Sequence, residues 1–231
     1  MTKTKRFIYI ILSLIFIIFS YTVFKLNLAN YVEPIRVSVI ILLSTIILLI
    51  SIIPVKSKIF INILEFLNFI CLIFVIGFTL ITFVIFRGVV SGSSMLPTFK
   101  SDENVWVYKF NYQPKKNDVI VYNVDKNNSN DLVIKRIAAL KGDQLSLYYE
   151  NNKYYLMIND SIYYNIYGVK YQILETYQLF TLLKDEPYIL KEDEIIVLGD
   201  NEGLSEDSRQ NGIYNTKYIL GKVLGDYSGK E

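Results

Sequence analysis

Ser91, Ser93 and Ser94 fall within one ten-residue stretch, VSGSSMLPTF (90–99), directly after a long apolar run. A serine performs nucleophilic acyl transfer only if a base takes its proton and donors hold the oxyanion that forms. The 231-residue chain has no histidine and one cysteine, Cys71. That composition removes every Ser-His and Cys-His mechanism and the commonest imidazole metal sites. It also excludes an intramolecular disulfide. A lysine amine is one of the few bases left. Read alone, the serine-rich turn is equally an ordinary loop.

Lys135 lies mid-strand in LVIKRIAALKGD (132–143), among Val133, Ile134 and Ile137. An outward lysine on an alternating strand is the plainer reading. The chemical reading requires an amine that is neutral at working pH. Desolvation among apolar side chains favours the neutral form, and Arg136 would push the same way if it faced the site. A third segment, GDNEGLSEDSRQNG (199–212), crowds Asp200, Asn201, Ser205, Asp207, Ser208 and Arg209 behind an apolar strand. It is either a turn with a weak surface pair, Asp207 and Arg209, or a polar cluster that orients an amine and braces a cleft.

Together the three segments resemble the bacterial type I signal peptidases. SGSSMLPT is similar to that family's S-G-x-S-M-x-P-T nucleophile box. VIKRIAALKGD is similar to its lysine box, and GDNEGLSEDSR to its G-D-N-x-x-x-S-x-D-S-R box. They stand in the family's order across most of 88–225. The resemblance implies a Ser/Lys dyad, with Ser94 the nucleophile and Lys135 its general base. It implies that Ser205 holds the lysine amine and that Asp207 and Arg209 form a supporting ion pair. Gly199, Asp200 and Asn201 belong to the same box. Gly92 stands where some members carry a hydroxyl donor. The oxyanion then falls to backbone N–H groups, chiefly that of Ser94, as is usual in Gram-positive bacteria. By family position Val90, Met95, Phe99, Val133 and Ile134 line shallow apolar pockets for small residues before the cut. ALKGD in place of G-L-P-G-D, and Glu202 where arginine is frequent, are departures that remove no catalytic group. The implied activity is removal of N-terminal signal peptides from secreted preproteins, with no cofactor, no metal and no nucleic acid. A non-catalytic accessory protein for pilus or surface-protein assembly is the alternative, and the intact Ser94 and Lys135 argue against it. A soluble self-cleaving Ser-Lys repressor is a second rival, and the apolar half argues against that.

The elements that must position these residues divide at Gly88. Before it stand eight Lys/Arg and two Asp/Glu; from it onward, sixteen against twenty. The basic surplus therefore belongs to the apolar half, where it reads as membrane topology. Three uncharged apolar runs, at 7–24, 37–53 and 66–86, approach the ~20 residues that span a hydrocarbon core as helix. Apolar residues occur on all sides of each, as in a buried or membranous helix. The first run has no A-x-A-like site after it and reads as retained rather than as a removable signal. Lys3, Lys5, Arg6, Lys56 and Lys58 on one side, against Lys25, Arg36 and Arg87 on the other, put the N-terminus inside. Glu65 and Asn68, at the start of the third run, would then lie near the inner interface. Residues 1–87 thus form a membrane region bound to the lipid bilayer, and 88–231 an extracytoplasmic peptidase domain. From Gly88 short Val-, Ile- and Tyr-rich runs alternate with Asn, Asp, Gly and Lys clusters. Expected strands cover 105–112, 118–124, 131–140, 194–200 and 217–225. A hairpin is expected at 144–160, turning at Asn151-Asn152, with a further turn at Asn159-Asp160. No amphipathic helices separate the strands, so the fold class is N-terminal transmembrane α-helices followed by a mostly antiparallel all-β domain. The Tyr-rich stretch 161–190 is expected to be an insertion of mixed structure.

Overall fold

The computed structural model describes residues 3–26, 28, 32–54, 56–124 and 132–225. The polar stretch 125–130, and Asp131 at the start of an expected strand, lie outside the described residues. Contacts divide the chain into two compact units, 1–86 with 109–111, and 87–108 with 112–231.

The first unit holds helices α1 (Lys3–Lys25), α2 (Pro34–Ile52) and α3 (Lys58–Thr79), the last running on through a π-helical turn at Leu80–Val84. All three are long and apolar enough to cross a membrane. The third begins at Lys58 rather than at Phe66, because its early polar groups find partners inside the unit. Asn68 is buried and donates from Nδ2 to Ser51 Oγ of α2 at 3.1 Å. Glu65 pairs with Lys5 of α1 at 2.9 Å. Pairing of the Glu65 carboxylate and of the Asn68 Nδ2 group offsets part of the cost of polar groups in an apolar surrounding, and the helix continues through both. The run also ends earlier than expected, since Ile85 and Phe86 open strand β1 (Ile85–Val89).

The second unit is built on β2 (Asn104–Tyr108), β3 (Val119–Asn123), β4 (Leu132–Ala139), β5 (Gln144–Glu150), β6 (Lys153–Ile158), β7 (Ser161–Ile162), β8 (Gln172–Ile173), β9 (Tyr188–Ile189), β10 (Glu194–Leu198), β11 (Tyr214–Asn215) and β12 (Ile219–Val223). A seven-stranded sheet has the order β1-β2-β12-β3-β4-β10-β11, and a second sheet runs β7-β6-β5-β9 with β8 beside β6. The described pairings among β2–β12 are antiparallel. The β5–β6 hairpin closes with Glu150 opposite Lys153. Its two turn residues, Asn151 and Asn152, have φ of 51° and 60°. Asparagine tolerates that left-handed conformation, which matches a two-residue turn to the twist of the strands. Asn159 and Asp160 turn in the same way, with φ of 52° and 60°. The strand expected at 105–112 stops at Tyr108. The stretch 161–190 is mixed as expected: short strands and one helix, α4 (Gln178–Leu183).

The core between the second sheet, α4 and β10 is made by Leu145, Leu156, Ile173, Leu179, Leu183, Leu190, Ile196 and Leu198. A second cluster, with Ile120, Tyr122, Ile137, Ile195, Val197 and Tyr214, covers one face of β3, β4 and β10. Strand β3 is buried along its whole length. Leu156 is fully buried in the first cluster, whereas Ile189, in the same sheet, is 60% exposed. Leu156→Ala should therefore lower stability by about 2–5 kcal/mol, and Ile189→Ala by less than about 0.5 kcal/mol. Urea titration of the detergent-solubilised chain checks this, and equal losses would mean that the sheet buries the other face.

Candidate active site

Two sealed side chains hold the serine-rich turn down: Met95 and Phe99 are 1% and 0% exposed. Phe99 N–H donates to Met95 O at 2.9 Å, and Leu96 N–H to Ser93 O at 3.2 Å. Gly92 has φ +86° with open space where a Cβ would stand. Only glycine takes that backbone conformation without strain. Ser91 and Gly92 are exposed and Ser94 is half-buried. The Ser94 N–H makes no hydrogen bond among the described residues. The carbonyls of Ser93 and Ser94 are held from across the site: Asn201 donates its N–H to Ser94 O at 3.0 Å and its Nδ2 to Ser93 O at 3.0 Å.

Lys135 reaches this turn from β4. Its Nζ donates to Ser94 Oγ at 2.9 Å, and the residue is 4% exposed. Strand alternation puts Val133 and Ile137 on its face, with Ile120 directly opposite across the β3–β4 ladder. Ile134 and Arg136 alternate to the other face. Arg136 is therefore not the cation that acts on the amine. It forms a buried two-pronged pair with Asp200, Nε to Oδ1 at 2.8 Å and Nη2 to Oδ2 at 2.7 Å. Burial is the largest influence on the Lys135 amine and pushes its pKa below the ordinary lysine value of 10.5. The Arg209 guanidinium pushes the same way, while the carboxylates of Asp207 and Glu206 pull it back up. Ladder pairing of β4 with β10 ends at Arg136 opposite Leu198. Residues 132–135 therefore have no β10 neighbour.

The third segment leaves β10 as a polar turn folded over Arg209. Arg209 and Asp207 are 2% and 0% exposed, so the pair is buried rather than superficial. Asp207 Oδ1 accepts from Arg209 Nε at 2.9 Å and caps the short helix α5 (Ser208–Asn211). Arg209 also binds Glu202 Oε1 at 2.8 Å. Glu202, the departure from the family pattern, thus supplies a second carboxylate to a buried guanidinium. Asp207 Oδ2 accepts from Gly199 N–H at 3.1 Å. A Cβ on Gly199 would lie 2.2 Å from Ser205 Oγ and 2.5 Å from Ser94 O, so glycine is required by space. Ser208 Oγ accepts the Val197 N–H at 2.9 Å where the β4–β10 ladder shifts register.

Ser94, Lys135, Gly199, Asn201, Asp207 and Arg209 are thus brought together, and Asp200 is joined to Arg136 behind them. Ser205 is beside Gly199, but its buried hydroxyl has no hydrogen-bond partner among the described residues and is not on the lysine amine. Of the five apolar pocket positions, Val90, Met95 and Phe99 are buried under the turn. Only Val133 and Ile134 keep surface open. Sequence reading missed Glu206 as a charge acting on the amine, and missed Asn165, Tyr167 and Tyr171, which reach the site from the 161–190 excursion.

Residues 63–227 match the family described as signal peptidase, peptidase S26. The chain is 33% identical over 173 residues to signal peptidase IB of Staphylococcus aureus (strain COL), covering 70% of this chain and 87% of that one. It is 28% identical over 166 residues to signal peptidase I P of Bacillus subtilis subsp. natto, covering 69% and 86%. A crystal structure of a signal peptidase I from Enterococcus faecalis V583 is 26% identical and is covered over 98% of its length by 49% of this chain, with a TM-score of 0.35.

The charges around Lys135 make one test with a definite sign. Glu206 is exposed, and its carboxylate favours the protonated amine. Glu206→Gln should lower the Lys135 pKa further, so the acid limb of any Lys135-dependent activity moves to lower pH. A limb that stays put or moves upward in a pH–rate profile would contradict this geometry.

Proposed function

This chain belongs to the signal peptidase family, peptidase S26, and on that premise we propose that Ser94 and Lys135 are the pair with which it cuts. It is a membrane-associated serine peptidase that removes signal peptides. The reading of its site rests on one observation above all, the 2.9 Å contact between Lys135 Nζ and Ser94 Oγ in a chain without histidine. An accessory role without turnover is not favoured, since both chemical groups are present and in contact.

In the proposed mechanism the neutral amine takes the Ser94 proton as Oγ attacks the peptide carbonyl. The unused Ser94 N–H, beside the open conformation at Gly92, receives the oxyanion. The ammonium then returns its proton to the leaving amine, and water, with the lysine again as base, releases the acyl group from Ser94. The Ser205 hydroxyl, without a partner among the described residues, is available to hold the amine once its proton has left. The edge of β4 without a β10 neighbour suits an extended preprotein segment adding as a strand. Val133 and Ile134 would form the rim of its side-chain pockets, over a floor of Val90, Met95 and Phe99. The substrates proposed are secretory preproteins, and no metal or cofactor takes part.

Ser94→Ala and Lys135→Ala should each reduce precursor cleavage by at least about 10³-fold while leaving the circular dichroism spectrum unchanged. Ser91→Ala and Ser93→Ala should stay within about tenfold of wild type. Wild-type cleavage by folded Ser94→Ala or Lys135→Ala would end the dyad reading, and an essential Ser93 would move the nucleophile by one residue.

We further propose that the N-terminus is inside, that all three helices cross, and that the unit carrying Ser94 is outside. Lys3, Lys5, Arg6, Lys56 and Lys58 support this side as the inner one. The Lys5–Glu65 pair supports α1 and α3 starting at the same side. Protease added to intact spheroplasts should digest the region after Arg87. Protection of that region until lysis would mean that one helix does not cross.

A further inference from the structure

The turn that carries Asn201 is held from outside the three sequence boxes. The carbonyl of Gly199 accepts a hydrogen bond from the Tyr171 hydroxyl at 2.8 Å. The carbonyl of Asp200, one residue on, accepts from Asn165 Nδ2 at 3.1 Å. A third residue of the same excursion, Tyr167, lies 3.0 Å by its hydroxyl from Thr98 Oγ1, which in turn donates to Asp200. Asn165 and Tyr171 are 6% and 1% exposed. Burial also keeps the Tyr171 hydroxyl protonated, by raising its pKa, so it is available only as a donor to this carbonyl.

From these contacts we propose that Tyr171 is a positioning residue for the cleavage reaction, acting through Gly199 and Asn201 on the nucleophile Ser94. The chain of contacts is short and each link is polar. Tyr171 fixes the carbonyl of Gly199, whose N–H is fixed by Asp207. The next residues then have little freedom, and Asn201 presents its N–H and Nδ2 to the carbonyls of Ser94 and Ser93. A phenylalanine would fill the same space, stacked on Tyr163 at 5.7 Å and under the Arg209 guanidinium at 5.3 Å. What it would lose is the hydroxyl that donates to Gly199 O, leaving a buried carbonyl without that partner. Freed on that side, the turn relaxes and the Ser94 Oγ–Lys135 Nζ geometry drifts. Displacements on the scale of one ångström in a reacting pair cost up to about 10²-fold in rate.

The inference rests on the Ser94–Lys135 reading, so the experiment carries both. Full-length chain in detergent is assayed on a signal-peptide-bearing precursor as wild type, Ser94→Ala, Tyr171→Phe and Tyr163→Phe. Rates are expressed per folded molecule. The expected result is a fall in kcat of about tenfold or more for Tyr171→Phe at unchanged KM, with Tyr163→Phe near wild type. Asn165→Asp keeps the acceptor that binds the N–H groups of Tyr167 and Val169 and replaces the donor to Asp200 O with a carboxylate oxygen that cannot donate. It should lower kcat in the same direction and reads the clamp independently if Tyr171→Phe folds poorly. An inactive Ser94→Ala beside a Tyr171→Phe of unchanged kcat overturns this proposal alone. So does an equal loss in Tyr163→Phe, or a loss confined to KM. An active Ser94→Ala overturns the dyad and this inference with it.

Discussion

The chemistry proposed for this chain depends on taking the charge off one lysine. A protonated Lys135 is no base, and the sequence offers no imidazole in its place. Around the amine, among the described residues, Asp207 and Glu206 favour the cation and Arg209 opposes them, so these charges by themselves keep the proton on. Burial has to exceed their sum, and it does, since the net direction is downward. That is reasonable in size, because full desolvation shifts a lysine by up to about 3–5 units, whereas partly screened charges act less. The strand arrangement follows from this need. Lys135 projects from a central strand, with Val133 and Ile137 beside it and Ile120 opposite, so that no water shell surrounds the stem.

Arg136–Asp200 and Arg209–Asp207–Glu202 bury several charges within a few residues of the dyad. Pairs of this kind gain little net stability, because desolvation offsets most of their attraction. Their worth here is directional. A two-pronged guanidinium–carboxylate contact fixes both partners in plane, and each carboxylate sits on the turn that holds the nucleophile. Asp200 belongs to the turn, Asp207 binds the N–H of Gly199, and Glu202 follows Asn201. Losing one member would leave its partner charged and buried, at a cost of about 3–5 kcal/mol. The network therefore couples folding of the second unit to the shape of the site.

Much of the fold could be read from local signals. Asn151-Asn152 and Asn159-Asp160 announced their turns because asparagine and aspartate tolerate positive φ. The uncharged runs announced the helices because nothing in them competes with a membrane-length helix. The start of α3 was not legible, since Glu65 and Asn68 look like boundary residues until Lys5 and Ser51 are seen to meet them. The three boxes made Ser94, Lys135 and the Asp207–Arg209 pair legible by residue type and order. Arg136 misled because it is the neighbour of Lys135 in sequence, and on a strand the neighbour faces the other way. Ser205 lies beside Gly199 as the pattern implies, yet its hydroxyl has no partner among the described residues, which no residue type announces.

Tyr171 was illegible for a different reason. It contacts Gly199 across 28 residues and sits in a stretch whose many tyrosines look alike in sequence. Nothing local separates it from Tyr163 or Tyr167. Only the folded chain distinguishes them, by burying the Tyr171 hydroxyl against a carbonyl and leaving Tyr167 exposed. In the proposed dyad the serine and lysine supply reactivity, and their separation follows from the carbonyls of Gly199 and Asp200 on the turn that carries Asn201. Those carbonyls must be held by donors, because a buried one left free would seek another partner and carry the turn with it. A scaffold that holds a Ser/Lys pair at hydrogen-bond distance therefore needs polar side chains from elsewhere in the chain, and the Tyr-rich excursion brings them.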